Sequence, residues 1–409
     1  MKKIFQGLIL MSAVGCGCAA AKEAKNAEIP DQPSNPKRKL DLTVPVWKKG
    51  SGKDFSGAYP AIPNIKNMDP ASPVKLTLPK LVYGMTGSET RVYFHNLVDS
   101  LEKDKLRFKV ICPVGKTNEK YWSYTPRKAG DHKLKIIVTD VSGKELGKAE
   151  TIVRVAAKES GNEKNAVILM IGDSILGGAQ VANFLQEGLQ KRGNKNIRFM
   201  GSHSGHGAPL ALNKVAVEAY GGWAWDTFLT YWKPGKEYNR RSKFLKLVNG
   251  KPTLDIQAYL DKYNAGQAPD IVILYLGCND IAGGKMDTIE KRIEASVRNR
   301  DRLISELRKV MPNALFGVAL LAPANSRATA FDLNYKGSIK KDQYDYNQFS
   351  YVRRMLTDLQ DSKDLSIIPL YIGADTVEDY PENNAVHPIA TGQKRLALMF
   401  EMWLKNVMQ

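Results

Sequence analysis

Residues 167–171 read VILMI, five apolar side chains with no polar alternation, and they run directly into Gly172-Asp173-Ser174. A strand apolar at every position must be covered on both faces, which commits this part of the chain to a parallel sheet between helices. A second run of the same kind, 270–280 (DIVILYLGCND), ends on Gly277, Asn279 and Asp280. Around these two, strand-like runs at 166–171, 196–200, 270–276, 314–320 and 366–370 alternate with helical spacings at 179–191, 288–310, 344–360 and 391–407. That alternation implies βαβ units and an α/β fold. Pro312 closes the second helix, since proline lacks the N–H that would continue it. Open α/β sheets hold ligands at the carboxyl ends of their strands, so Ser174 and Asn279 stand where chemistry is to be sought.

Ser174 has two readings at this level: a helix N-cap, or a nucleophile at a strand-to-helix turn. Three further segments bear on the choice. Residues 219–225 (AYGGWAW) form a double-glycine turn between aromatics, 277–280 supply Asn279, and 386–388 (VHP) place His387 before an amphipathic stretch. In order, Ser, Gly, Asn and His supply a nucleophile, a backbone donor, an amide donor and a base, the parts of an acyl-transfer site.

These four blocks resemble the SGNH (GDSL-like) hydrolase superfamily, over about residues 160–409. The first block is similar to Gly172-Asp173-Ser174, the second-block glycine to Gly222 with Gly221 as the competing position, and the third to Gly277-Cys278-Asn279-Asp280. The resemblance implies a three-layer, flavodoxin-like hydrolase domain with a parallel sheet. It also implies Ser174 as nucleophile and His387 as base, with Gly222, Asn279 and the Ser174 N–H as oxyanion donors, and no metal or organic cofactor. The implied substrate is a carboxylic ester, foremost an acetylated polysaccharide, with a lipid ester as the alternative.

The fifth block departs from that pattern. Where the family usually has Asp three residues before the histidine, this chain has Asn384. An amide can orient an imidazole, as in Cys-His-Asn sites, but it does not offset imidazolium charge. Four readings stay open: a Ser-His-Asn arrangement, a Ser-His dyad aided by a backbone carbonyl, a carboxylate from Glu382 or Asp379, or a weakened site on a glycan-binding protein.

Other candidates are less specific. The long interval 201–255 holds Trp223, Trp225, Phe228, Tyr231 and Trp232 together with Lys233, Lys236, Arg240, Arg241 and Lys243, a composition that suits a glycan-facing rim or a loop packed down by its aromatics. His203 and His206 have a spacing open to metal, but no third ligand stands nearby. The loop 322–345, with Asn325, Arg327 and Asp332, borders the expected pocket. Arg327 has the fork to meet a substrate carboxylate or a place in the surface structure. Cys112 and Cys278 read as single buried thiols.

Ahead of this domain the chain changes character. Lys2, Lys3 and the apolar stretch 4–14 read as an export signal covering 1–21. Cleavage after Ala21 competes with a lipobox-like Ala13-Val14-Gly15-Cys16 that would put a lipid anchor on Cys16, so the expected location is periplasmic, cell-surface or secreted. A Pro-rich tether spans 22–70. Residues 71–157 read as an all-β, Ig-like sandwich with strands near 74–78, 90–94, 106–112, 133–139 and 149–155, divided by turns such as Tyr83-Gly84. Tyr121, Trp122 and Tyr124 are open as a sugar-stacking platform or as core. The formal charge is +18, but the lysines are scattered and no nucleic-acid motif accompanies them, so nucleic acid is not an expected partner.

Overall fold

The computed structural model describes residues 59–69, 71–99, 102–210, 214–235 and 237–409. The export signal, both cleavage alternatives and most of the Pro-rich tether lie outside the described residues, as does Lys236.

The first part is all β: β1 (Leu81–Met85), β2 (Thr90–Tyr93), β3 (Arg107–Ile111), β4 (Lys116–Thr117), β5 (Tyr121–Tyr124), β6 (Gly130–Thr139) and β7 (Glu145–Ala156). They form a four-stranded sheet in the order β1-β7-β6-β3 and a three-stranded sheet β2-β5-β4. In β6, Leu134, Ile136 and Val138 point into the core while their neighbours do not, the period-2 signature that made this strand readable. Two expectations are corrected. Residues 74–78 form no strand, only an isolated Leu76–Val98 bridge. Tyr83-Gly84 is no turn but lies within β1, which pairs parallel to β7. All of β1 is buried, so it lacks the alternation that marks a one-faced strand. Trp122 is core, with its indole N–H donating to the Val114 carbonyl at 3.1 Å.

The second part contains β8 (Ala166–Gly172), α1 (Ser174–Gly177), α2 (Gln180–Lys191), β9 (Ile197–Met200), β10 (Glu218–Ala219), α3 (Thr227–Thr230), β11 (Leu245–Val248), β12 (Lys251–Leu254) and α4 (Ile256–Asn264). It continues with β13 (Ile271–Tyr275), α5 (Cys278–Ile281), α6 (Ile289–Val310), β14 (Leu315–Ala319), α7 (Ala328–Tyr335), α8 (Lys341–Leu359), β15 (Ser366–Ile368) and α9 (Ala390–Val407). The sheet is parallel. β9 and β10 share one edge of β8, and β13, β14 and β15 follow on the other. This is the flavodoxin-like order, in which the chain steps outward to β9 and then crosses back to β13. The connections therefore part company between β8 and β13, and a crevice opens at their carboxyl ends.

The two parts share one hydrophobic cluster. The last turns of α9, from Phe400 to Val407, are buried on every side because α2 covers one face and β1 the other. Its polar residues are satisfied there: Glu401 pairs with Arg192 at 2.9 Å, and the Asn406 amide donates to the Gly84 carbonyl at 3.0 Å. Elsewhere on this seam Tyr371 Oη donates to the Thr77 carbonyl at 3.2 Å and Asn96 Nδ2 to the Ala374 carbonyl at 2.8 Å. The described end of the tether is bonded to both parts. Phe316 N–H donates to Tyr59 Oη at 2.7 Å and Glu150 N–H to the Lys66 carbonyl at 2.9 Å. Among the described residues no helix is long and apolar enough to cross a membrane.

Candidate active site

Four carboxyl-end junctions converge. β8 delivers Ser174 as the first residue of α1. The cap of that helix is Asp173, whose Oδ1 accepts from Ile175 N–H at 2.9 Å, so the N-cap reading of Ser174 is corrected. With capping done by its neighbour, the Ser174 hydroxyl is left for another partner. That partner is His387, whose Nε2 lies 2.8 Å from Ser174 Oγ. His387 Nδ1 lies 3.0 Å from Asn384 Oδ1, which also accepts from the backbone N–H of Val386 at 3.1 Å and of His387 at 3.0 Å. Three donors converging on one side-chain oxygen fix the amide's orientation, since its NH2 end has nothing to accept with. The oxygen in turn fixes the tautomer: Nδ1 carries the proton and Nε2 is free to accept from Ser174 O–H. Burial pushes the His387 pKa below its ordinary value, which keeps the ring neutral.

The donors expected around Ser174 come from the second and third blocks. Gly222 has φ +78°, a left-handed backbone that favours glycine, and a Cβ on Gly221 would sit 3.9 Å from Ser174 Cβ, so the double-glycine turn lies against the nucleophile. Asn279, in α5, spends one amide hydrogen on the Trp223 carbonyl at 2.9 Å, tying the third block to the double-glycine turn. α5 starts from Gly277, where φ is +127° and any Cβ would collide with the Tyr351 ring at 2.4 Å. Tyr351 Oη accepts from the Trp225 indole N–H at 2.9 Å, so the second and third blocks are locked from below as well. Ser174, Asn279 and His387 are partly exposed and Gly221-Gly222 exposed, so the group opens to solvent.

The turn that carries His387 is braced from three sides. Asn325, fully buried, donates to the Pro381 carbonyl at 2.7 Å and the Asn384 carbonyl at 3.0 Å, and its N–H donates to the Ala385 carbonyl at 2.8 Å. Arg327 Nη1 donates to the Val377 carbonyl at 3.1 Å. Asp379, buried, pairs with Arg395 Nε at 2.6 Å, and its carbonyl accepts from Ile389 N–H at 2.9 Å. These bonds settle where two suggested carboxylates lie: Asp379 is engaged by Arg395, and Glu382 is exposed, so neither is the group on Nδ1. Sequence reading placed Asn325 and Arg327 on the border of the pocket but missed that both hold the histidine turn.

Beneath the serine lie two crowded acids. Burial pushes Asp173 up to about 7, with Asp280 adding to it, and Asp280 up to about 6. Cys278, half-buried, lies 2.8 Å from Tyr344 Oη, and burial pushes its thiol up to about 12. Cys112 and Cys278 are both free thiols.

The other candidates fall away from Ser174. Trp223 and Phe228 are buried in an aromatic stack with Tyr220 and Phe244, and Trp225 is buried with its indole N–H on Tyr351, which corrects the rim reading for these residues; the loop is packed down by its aromatics. Trp232, partly exposed, has Arg241 over its ring at 5.1 Å. His203 is occupied on both ring nitrogens: Nδ1 accepts from Gly205 N–H at 3.1 Å and Nε2–H donates to the Ala219 carbonyl at 3.0 Å, while burial pushes its pKa down to about 4. Two cavities are lined by neither Ser174 nor His387. One of about 230 Å3 lies beside Arg395, and one of about 630 Å3 lies beside the 323–326 loop.

No family model matches this chain. Over 249 residues, 59% of its length, the chain is 24% identical to a multidomain esterase from Ruminococcus flavefaciens, and it spans 28% of the length of that relative. Among solved structures it is similar to a family 3 carbohydrate esterase from Clostridium thermocellum, with 19% identity, coverage of 58% of this chain and 94% of the other, and a TM-score of 0.36. It is also similar to a carbohydrate acetylesterase family member from Sinorhizobium meliloti, with 15% identity, coverage of 59% and 99%, and a TM-score of 0.38.

Proposed function

We propose that this chain is a serine ester hydrolase of the SGNH type that removes acetyl groups from a polysaccharide. The observation that carries the reading is the run Ser174 Oγ–His387 Nε2 at 2.8 Å and His387 Nδ1–Asn384 Oδ1 at 3.0 Å, in the tautomer a general base needs. The esterase relative supports the reaction class. Ser174 Oγ attacks the acetyl carbonyl as its proton passes to His387 Nε2. The resulting oxyanion is held by the N–H groups of Ser174 and Gly222 and by the second amide hydrogen of Asn279. The C–O bond to the sugar then breaks, the sugar oxygen takes the proton from Nε2, and water repeats the cycle to release acetate. We carry into the same proposal an Ig-like module for the β part. Export, on a lipid anchor at Cys16 or after cleavage at Ala21, is also part of it, on the strength of the N-terminal sequence.

The neutral Asn384 favours a second reading, a weakened site on a glycan-binding protein. Mixing the protein with 4-nitrophenyl acetate separates the two. The hydrolase reading expects a burst of nitrophenol close to one equivalent, or steady turnover, together with acetyl label recovered on Ser174. Release no faster than in buffer would sink it.

A further inference from the structure

The cleft of about 630 Å3 lies between the β part and α8 and is within the range of small-ligand sites. Its position ties it to the chemistry. One wall is the 323–326 loop, and Asn325 of that loop is the side chain that holds the Pro381 and Asn384 carbonyls on the other side. Another wall includes Met286, on the loop that follows α5 and its Asn279. A polymer lying in the cleft is therefore one loop away from the histidine turn.

The lining has a definite chemistry. Tyr346 and Phe349 stand at i and i+3 on α8 and so share a face, with Tyr346 37% exposed and Met286, across from them in sequence, 63% exposed. The exposed Tyr346 ring and the partly buried Phe349 ring, beside polar and charged side chains of the same cleft, suit a ligand with apolar faces and polar edges, which is what a pyranose ring presents. Charge narrows the class. Asp99, Asp104, Asp342 and Asp345 line the cleft against Lys103 and Lys341, and Lys341 is already bonded to Asp345. On a chain of net charge +18 this wall is acidic, so it repels a polyuronate and accepts a neutral chain.

We propose that the cleft between the β part and α8 binds the neutral glycan that carries the scissile acetyl group, and so makes the β part a contributor to substrate choice. The proposal rests on the acetylesterase reading for its connection to catalysis, and the test keeps the two apart. kcat/KM is measured with the full chain on partially acetylated xylo-, cello- and mannohexaose, on the matching acetylated monosaccharides and on partially acetylated hexagalacturonate. Binding of the three unacetylated neutral hexamers to Ser174→Ala is followed by calorimetry. At least one neutral hexamer is expected to be used better than its monosaccharide and to bind Ser174→Ala. Tyr346→Ala is expected to lower that hexamer-to-monosaccharide ratio about tenfold. Asp342→Lys, at an exposed position, is expected to shift relative use towards the uronate. Unchanged thermal midpoints show that both variants fold. Hydrolysis without a hexamer preference, a parent preference for the uronate, or a ratio that Tyr346→Ala leaves intact overturns the cleft proposal while the esterase reading stands. No turnover of any acetyl ester, with hexamer binding that Tyr346→Ala weakens, overturns the esterase reading and leaves the cleft.

Discussion

Ser174 and His387 meet at 2.8 Å, yet the chain holds them by opposite means. Ser174 leaves a strand paired on both edges, and the side chain of its neighbour Asp173 caps the helix it begins, so the sheet ladder and one adjacent side chain fix it. His387 lies in the irregular stretch between Ile372 and Ala390, and side chains from other elements fix it: Asn325, Arg327 and Arg395. A backbone ladder survives most single substitutions. A turn pinned by three side chains does not. The nucleophile should therefore be sensitive at itself and at its adjoining cap, and the base at distant residues that never touch substrate.

The largest effect on that comparison is Ser174→Ala, expected to cut kcat on a small acetyl ester by roughly 10^4-fold or more with the fold retained, since only the nucleophilic oxygen is lost. A near-parent rate in the purified variant would end the serine mechanism. Next comes Asn325→Ala. It frees the Pro381 and Asn384 carbonyls, while the backbone N–H to the Ala385 carbonyl remains, and a displacement of the base by about 1 Å costs about 100-fold in kcat. Because the site is fully buried, the variant should also unfold at lower temperature, each unpaired carbonyl costing about 1–3 kcal/mol. Loss of thermal stability with kcat intact would show that the turn holds its shape without Asn325.

Asn279→Ala tests the other side. Removing one oxyanion donor is expected to lower kcat by about 100-fold, with KM little changed because the donor matters mainly in the transition state. Asn279 is half-exposed, so water can replace it at the Trp223 carbonyl and the thermal midpoint should stay near the parent's, unlike Asn325→Ala. An effect on KM alone would make Asn279 a substrate-binding residue.

The same contrast explains what the sequence shows and what it hides. Ser174 and Asn279 follow buried parallel strands, and the apolar runs of β8 and β13 announce both the sheet and its carboxyl edge. His387 is visible only through its place before α9. Asn325 is six residues beyond β14 on that same edge, a position that marks it as bordering the site. Its role depends on which carbonyls approach it, and those belong to a turn 56 to 59 residues away. The aromatics of 201–255 mislead for a related reason: composition does not say whether a ring faces solvent, and Trp225 is inside, its buried N–H satisfied by Tyr351 of α8. β1 escapes notice because the α9 packed on it removes the alternation that betrays a strand.

The smallest change in rate, and the sharpest reading of the histidine side, is expected from Asn384→Asp. The base works when neutral, and burial holds His387 below its ordinary pKa, so kcat/KM in the parent should rise with pH through a value under 6.5 and level off above it. An aspartate at 384 would meet the same three N–H donors that now converge on the amide oxygen, so it would be ionised and held in the same place. Its charge stabilises the imidazolium and raises the His387 pKa, which moves the acid limb of the profile to higher pH. The variant should then fall below the parent near pH 5 and equal or exceed it, by a few-fold at most, near pH 8. Glu382→Gln, at an exposed side chain, should leave the limb where it is. If the limb moves with Glu382→Gln and not with Asn384→Asp, the carboxylate reaches His387 in solution after all, and the Ser-His-Asn arrangement gives way to one in which Glu382 supports the base.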